Sequence, residues 1–244
     1  MRARFVLALA FTALSAGASQ AGFFDGFNYP NGGLVANSGG VWQVWEGFGN
    51  DDGVIGGAVD FTGFASLAPD VEAQFTNILA GTTKAVFSYD FFISGSGDNT
   101  PQINLGPDNW GPGYNYDGVL ITFFNLGGPG TLNVATNQGG NLPLGTVSLN
   151  QWHRMEVDIV QAAGNAYYSF WIDGVPNPVT NWSVLDPIRG LNAVELGAIG
   201  TDGNPATFIL VDNVCAGLPE PTTLSLLALG GLGLLRRARA RRAR

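Results

Sequence analysis

Turn-forming residues recur along the central part of this 244-residue chain and restrict it to short structural elements. The sequence contains 36 glycines and 13 prolines. Glycine and asparagine tolerate positive φ, and proline fixes the corner of a turn. Between these turns, apolar and polar residues alternate with a period of two, which is the repeat of a half-buried β-strand. The pattern predicts many short strands.

The clearest alternation lies in residues 152–159. One face would carry Trp152, Arg154, Glu156 and Asp158, and the other His153, Met155, Val157 and Ile159. Further strands are predicted over residues 41–48, 54–61, 84–93, 119–124, 132–135, 193–199 and 206–214. About ten strands with scarcely a helix favour an all-β fold, an antiparallel two-sheet jelly-roll sandwich. One helix is predicted over residues 71–79 with Asp70 as its N-cap, although Val71, Ala73 and Phe75 also alternate.

The N-terminal 21 residues have the composition of a secretory signal peptide. Arg2 and Arg4 give a positive start, and residues 5–14 form an apolar run too short to span a bilayer. Small residues follow, and cleavage after Ala18 or Ala21 fits the small-x-small rule. We therefore predict that residues 1–21 are a signal peptide that signal peptidase removes.

The C-terminal 26 residues combine three features in a fixed order. Pro219, Glu220 and Pro221 are followed by an uncharged apolar segment over residues 222–235, and residues 236–244 contain six arginines. An apolar segment followed at once by arginines is typical of a stop-transfer signal. Fourteen helical residues span only about 21 Å, against about 30 Å of hydrocarbon. We expect this short hydrophobic helix to hold the chain in the inner membrane only transiently.

This tail resembles the PEP-CTERM sorting signal, which exosortase recognises in Gram-negative envelope bacteria. The resemblance covers residues 219–244 and implies cleavage near Pro219, Glu220 and Pro221 by an exosortase-type enzyme. It also implies delivery of the cargo to the cell surface or extracellular matrix. The predicted organisation is a signal peptide (1–21), a β-sandwich passenger (22–218) and a sorting tail (219–244).

The passenger is strongly acidic. Residues 22–218 contain three Lys and Arg residues and eighteen Asp and Glu residues, so the formal charge is 3 − 18 = −15. Such a field repels nucleic acid and attracts cations, including Ca²⁺. Cys215 is the only cysteine, which excludes an intrachain disulfide and a cysteine-based metal cluster.

Two parts of the passenger resemble concanavalin A-like and laminin-G-like jelly rolls. Residues 152–157 and 168–174 look like the paired late strands of such domains, with a Trp-His opening one strand and an Asp-Gly turn closing the other. Residues 24–27 and 211–214 are similar to the first and last strands of such domains in exported bacterial proteins. The resemblance implies two packed antiparallel sheets and, often, carbohydrate binding.

Two binding sites are predicted within the passenger. Because jelly rolls bring their first and last strands together, Asp25, Asp212 and Asn213 are candidate oxygen ligands for a structural Ca²⁺. Alternatively, these residues hydrogen-bond their own backbone. Candidate glycan-binding residues are Trp110, Tyr114 and Tyr116, in a Gly- and Pro-rich segment, although that segment also suits a loop that covers the core.

No complete catalytic set is found in the sequence. Retaining glycosidases with this fold carry two outer glutamates in a Glu-x-Asp-x-x-Glu strand, but Gln161 stands where the second would follow Glu156 and Asp158. His153 is the only histidine and lies on the apolar face of its strand, so we expect it to be packed. We therefore predict a non-catalytic structural, adhesive or glycan-binding surface protein; the alternative is a secreted glycoside hydrolase or lyase.

Overall fold

The structure, a computed structural model, describes residues 22–44, 53–60, 70–79, 83–95, 100–106, 120–136, 140–178, 182–184, 190–199 and 208–217. These residues form seventeen strands and one short helix, α1 (Leu34–Asn37). The strands are β1 (Phe23–Asp25), β2 (Gly32–Gly33), β3 (Gln43–Val44), β4 (Gly53–Ile55), β5 (Ala58–Asp60), β6 (Asp70–Gln74), β7 (Lys84–Ser94), β8 (Thr100–Gly106), β9 (Leu120–Phe124), β10 (Thr131–Thr136), β11 (Gly140–Thr146), β12 (Trp152–Ala162), β13 (Asn165–Ile172), β14 (Val175–Pro176), β15 (Trp182–Val184), β16 (Ala193–Ile199) and β17 (Phe208–Gly217).

The strands form two antiparallel sheets. Sheet A has ten strands in the order β14-β13-β12-β7-β17-β5-β4-β2, with β1 paired to β17 and β15 paired to β13. Sheet B has seven strands in the order β11-β10-β9-β8-β16-β6-β3. This architecture confirms the predicted all-β, antiparallel two-sheet jelly roll. The first and last strands also pair as expected, with Phe23 opposite Ala216.

Three hairpins of sheet A have two-residue turns in which both central residues have positive φ. They are Gly56-Gly57, Ala163-Gly164 and Asp173-Gly174. Such turns match the right-handed twist of the flanking strands. Glycine adopts this backbone conformation without the steric cost that a Cβ brings. The Asp-Gly turn after β13 is the one that the sequence predicts.

The hydrophobic core lies between the sheets. Alternation along β7 directs Phe87, Tyr89 and Phe91 inward, and each is fully buried. The ring centroid of Phe124, from β9 of the opposite sheet, lies 5.3 Å from Phe91 and 6.2 Å from Tyr89. These tilted and edge-on contacts are favourable for aromatic pairs, and they join the centres of the two sheets.

The helix predicted over residues 71–79 is wrong. Residues Asp70–Gln74 form β6, which pairs with β16 on one side and β3 on the other. The two-residue alternation of Val71 and Ala73, both buried, decides the outcome, because it places both side chains in the core between the sheets. Pairing on both sides then supplies the backbone hydrogen bonds of the strand.

Candidate functional site

Sheet B carries a set of polar side chains on the face that points away from the core, and four of the six are buried. Each is next to a core residue in the chain, so alternation directs it away from the core. The set comprises Gln43 on β3, Glu72 and Gln74 on β6, Gln102 and Asn104 on β8, and Glu195 on β16. We call these six residues the polar face.

Strand register places the central members of the polar face in one row. Gln43 lies opposite Glu72, Glu72 lies opposite Glu195, and Glu195 lies opposite Asn104. Directly opposed residues on antiparallel strands have Cβ atoms about 4.5–5.5 Å apart, so their side chains are in reach of one another. The row therefore crosses four strands, with two carboxyl groups at its centre.

Burial and hydrogen bonding differ among the residues of the polar face. Glu72 is 8% exposed, Glu195 4% and Asn104 2%, whereas Gln43 and Gln74 are exposed. Glu72 Oε1 accepts hydrogen bonds from Gln43 Nε2 at 2.8 Å and from Gln74 Nε2 at 3.0 Å. The exposed amides thus hold one carboxylate in a fixed position beside the other.

Two amide oxygens of the polar face have no hydrogen-bond partner among the residues that the structure describes. They are Asn104 Oδ1 and Gln102 Oε1, and both residues are more than nine-tenths buried. A buried acceptor without a donor costs about 1–3 kcal/mol. Gly197, opposite Gln102, has no side chain to fill the space beside it. The arrangement is suited to a ligand that supplies hydroxyl donors or positive charge.

Asp25, a predicted calcium ligand, accepts hydrogen bonds from three groups of the protein. Its carboxylate accepts from the Phe27 N–H, the Tyr29 hydroxyl and Trp42 Nε1, each at 2.7 Å. The residue is 7% exposed. Burial and the hydrogen bond to this carboxylate together raise the pKa of Tyr29 above its usual range. Both carboxylate oxygens of Asp25 thus have donors within the protein.

The other two predicted calcium ligands lie on a bulge of β17. Asp212 is opposite Asp90 of β7, and the register shifts immediately after it. Asn213, at φ 50°, donates from Nδ2 to Asp90 Oδ2 at 2.8 Å. Arg154 completes the group by donating to Asp90 Oδ1 at 2.8 Å. Both carboxylate oxygens of Asp90 thus accept a hydrogen bond.

The pKa of Asp212 is raised above its ordinary value, and Asp25 is among the causes. Burial raises the pKa of Asp212, and the charges of Asp90 and Asp25 add to the rise, against the lowering effect of the Asn213 N–H. Strand β1 pairs with β17, and the register sets Asp25 opposite Val214, two residues from Asp212. Within the described ranges, no group of three or more His, Cys, Asp or Glu side chains is arranged to hold a metal ion. Calcium at Asp25, Asp212 and Asn213 stays a prediction.

His153 is buried as predicted. Its Nδ1 lies 2.7 Å from Asp173 Oδ2, its Nε2 lies 2.8 Å from the Ser148 carbonyl oxygen, and its ring packs 5.5 Å from Phe91. The residue joins the Asp-Gly turn to β12. Burial alone would raise the pKa of Asp173, but hydrogen bonds from His153 and the Arg154 N–H, with the charge of His153, lower it.

Glu156 lies on the outer surface of sheet A, on the same face as Arg154 and Asp158, as the alternation predicts. Its partners in register are Ser88 on β7 and Trp171 on β13. No carboxyl group stands directly opposite it on either strand. The two opposed glutamates of the chain's described part are instead Glu72 and Glu195.

Several predicted sites lie outside the described residues. They are the glycan candidates Trp110, Tyr114 and Tyr116 and the sorting motif Pro219, Glu220 and Pro221. The first three belong to the connection between Gly106, where β8 ends, and Leu120, where β9 begins. In the part of the chain that the structure describes, no helix has the length and apolar character needed to cross a membrane.

Comparison with solved structures shows the fold. The chain aligns with the laminarinase of Rhodothermus marinus at 14% identity over 82% of this chain and 97% of that one, with a TM-score of 0.53. The Emp47p carbohydrate recognition domain aligns at 13% identity over 82% and 98%, with a TM-score of 0.55. The chain aligns with only 19% of a longer sialidase chain. No family model and no curated protein sequence matches.

The polar face was missed by sequence reasoning for a physical reason. The sequence predicts a helix over residues 71–79, and a helix does not place Glu72 and Gln74 on one face of a strand. The alternation around Glu195 predicts that its side chain lies on the polar face of a strand. It does not show which strands pair with that one. Only the three-dimensional register brings Glu72, Glu195 and Asn104 together.

Proposed function

We propose that this protein is exported to the cell envelope and that its jelly roll binds polysaccharide without cleaving it. The export part is supported by the sequence, with a signal peptide over residues 1–21 and a PEP-CTERM-like tail over residues 219–244. The passenger would reach the cell surface or extracellular matrix after signal peptidase and an exosortase-type enzyme have acted. Its fold is shared with a carbohydrate recognition domain and with glycanases.

The observation that carries the binding proposal is the amide content of the polar face. Gln43, Gln74, Gln102 and Asn104 carry donors and acceptors on one face of sheet B, and the oxygens of Gln102 and Asn104 have no partner among the described residues. Sugar hydroxyls can satisfy both kinds of group. Trp110, Tyr114 and Tyr116 belong in the sequence to the connection that follows β8, the strand that contains Asn104. Aromatic residues in that connection could stack against sugar rings.

A glycan array probed with the full-length protein in mild detergent tests the proposal. We expect binding to a restricted set of polysaccharides, reduced by Trp110→Ala and by Gln74→Ala. A matched control is Val175→Ala, because Val175 is an exposed residue of sheet A. Silence across neutral and acidic polysaccharides, or binding unchanged by Trp110→Ala and Gln74→Ala, would reject glycan contact at this face.

The second candidate function is a secreted glycoside hydrolase or lyase. It is favoured by the opposed glutamates Glu72 and Glu195, since retaining glycosidases use two carboxyl groups about 5–5.5 Å apart. A structurally similar endo-β-1,3(4)-glucanase gives the substrate to try, a β-1,3(4)-glucan. Release of reducing sugar that disappears in Glu195→Gln but persists in Glu156→Gln would establish this activity. Absence of release would leave binding as the function.

A further inference from the structure

We infer that one end of sheet A, the tether end, lies against the inner membrane while the C-terminal tail is still attached. The tether end consists of Gly22, Gly217, Lys84 and the hairpin turn Ala163-Gly164 between β12 and β13. The inference rests on the export and tail assignments of the proposed function, and it adds the orientation of the passenger at the membrane. It is independent of glycan binding.

The first argument is the position of the two boundaries of the passenger. Strand β1 pairs antiparallel with β17, with Phe23 opposite Ala216. The next residues outward, Gly22 and Gly217, therefore lie side by side at one end of the sheet. A Cβ added to Gly217 would lie 3.5 Å from the Gly22 nitrogen. The predicted signal peptide ends directly before Gly22, and the predicted sorting tail begins at residue 219, so both predicted membrane segments connect to the tether end.

The second argument is the short connection between the passenger and the tail. Residues 218–221 separate Gly217 from the predicted apolar segment, which begins at residue 222. An extended chain covers at most about 3.6 Å per residue, so these five steps reach about 18 Å. Gly217 can therefore be no further than this from the apolar segment when that segment is in the membrane.

The hairpin between β12 and β13 projects beyond Gly217 on the same side. Gly217 lies opposite Val86, which lies opposite Asp158, and β12 runs in the same direction as β17 because both are antiparallel to β7. Strand β12 continues from Asp158 to Ala162 before the Ala163-Gly164 turn. At about 3.3 Å per residue, this continuation is about 13 Å long. A connection of about 18 Å thus keeps the tip of the hairpin close to the lipid surface.

The third argument is the composition of the tether end. The passenger has a formal charge of −15, yet residues 159–168, which include the end of β12 and the start of β13, contain no Asp or Glu. Lys84, the only lysine of the chain, is exposed and lies opposite Val160. This part of sheet A can approach anionic lipid headgroups, whereas an acidic surface is repelled by them.

Fluorescence quenching in vesicles tests this orientation. The tail-bearing protein, purified from an exporting host without an exosortase, is reconstituted with phosphatidylethanolamine, phosphatidylglycerol and a lipid that carries a nitroxide on its headgroup. In a Cys215→Ser background, one fluorophore is attached through Ala163→Cys or through Val175→Cys. Val175 is the matched control, because it is 65% exposed and follows the turn at the other end of β13, a strand of about 26 Å.

We expect the fluorophore at position 163 to lose most of its emission and the fluorophore at position 175 to keep it. A flexible Gly- and Ser-rich spacer of about 20 residues after Gly217 has an end-to-end distance of about 25 Å, and it should restore much of the emission at position 163. Equal quenching at the two positions, or quenching that the spacer does not change, would overturn the inference.

A second measurement needs no substitution in the passenger. A membrane-impermeant amine reagent should modify Lys84 more slowly in the vesicle-bound protein than in the spacer variant, as measured by mass spectrometry. Equal rates contradict the orientation. Flotation with the vesicles separates the two proposals. A protein that does not float contradicts both the tail assignment and the inference, whereas flotation with equal quenching and equal rates rejects the inference alone.

Discussion

Asp25 holds the N-terminal segment against the core through three donors. Its carboxylate joins the turn at Phe27, the Tyr29 hydroxyl and the indole N–H of Trp42, which is itself 1% exposed. The ring centroid of Trp42 lies 5.6 Å from Phe27 and 5.8 Å from Phe23. The buried carboxyl group of Asp25 thus connects three hydrogen-bond donors inside an aromatic cluster.

Replacing Asp25 should be costly. Asp25→Ala leaves the Trp42 indole N–H and the Phe27 N–H buried without acceptors, and we expect the free energy of unfolding to fall by about 3 kcal/mol. Tyr29→Phe removes a single donor and should cost about 1 kcal/mol. Urea denaturation of the three proteins measures both values. A loss below about 0.5 kcal/mol in Asp25→Ala would contradict the network.

The Asp173–His153 contact should make stability depend on pH. The pKa of Asp173 is lower in the folded protein, so the contact stabilises the protein above the unfolded pKa of about 3.9. Its contribution is lost as the pH falls through the lowered value. The Asp173 side chain is 49% exposed, so solvent keeps the effect below about 1 kcal/mol.

Asp173→Asn tests this dependence. The difference in unfolding free energy from the wild type should be largest near neutral pH and should shrink as the pH falls below about 4. Thermal melts at several pH values measure it. A difference that grows on acidification would have the opposite sign to the one expected.

At the scale of elements, the hairpin turns of sheet A fix strand register. Gly174 has φ 73°, and an added Cβ would meet nothing within 4 Å. The cost of a side chain there therefore comes only from the positive φ of the backbone. Gly174→Ala should lower the free energy of unfolding by about 1 kcal/mol. The control is Gly53→Ala, where φ is not positive and the surroundings are equally open. Equal effects of the two substitutions on chemical denaturation would refute the argument.

Strands with strong alternation were predictable from the sequence. Residues 193–199 coincide with β16, and residues 84–93 differ from β7 by a single residue. Residues 54–61 were predicted as one strand but form β4 and β5, because the Gly56-Gly57 turn folds the segment back on itself. The polar face could not be predicted, since pairing between β6 and β16 is not local.

For the whole molecule, the excess of negative charge limits the class of polysaccharide. A passenger charge of −15 should repel uronate-rich or sulfated polymers more than neutral glucans. We therefore expect neutral glycans to bind in preference to acidic ones. Added salt should change the affinity for neutral glycans little, and it should narrow the difference in affinity between neutral and acidic polymers. Strong binding of acidic polymers at low salt would contradict this expectation.

The sorting proposal also belongs to the whole molecule. Deleting residues 219–221 should leave the unprocessed chain in the inner-membrane fraction, whereas the wild type should reach the cell surface or matrix in shortened form. Fractionation followed by mass measurement distinguishes the two. Wild-type protein found uncleaved in the cytosol would contradict both the signal peptide and the tail assignments.

The central claim is that the outer surface of sheet B, and not that of sheet A, meets the ligand. The most direct measurement is the Kd of the best array glycan for Asn104→Ala and for Trp152→Ala, the latter an aromatic residue that is 47% exposed on sheet A. We predict that Asn104→Ala weakens binding about tenfold, as expected for the loss of about 1.4 kcal/mol of hydrogen bonding, and that Trp152→Ala leaves it unchanged. Weakening by Trp152→Ala with Asn104→Ala unchanged would place the ligand on the opposite sheet.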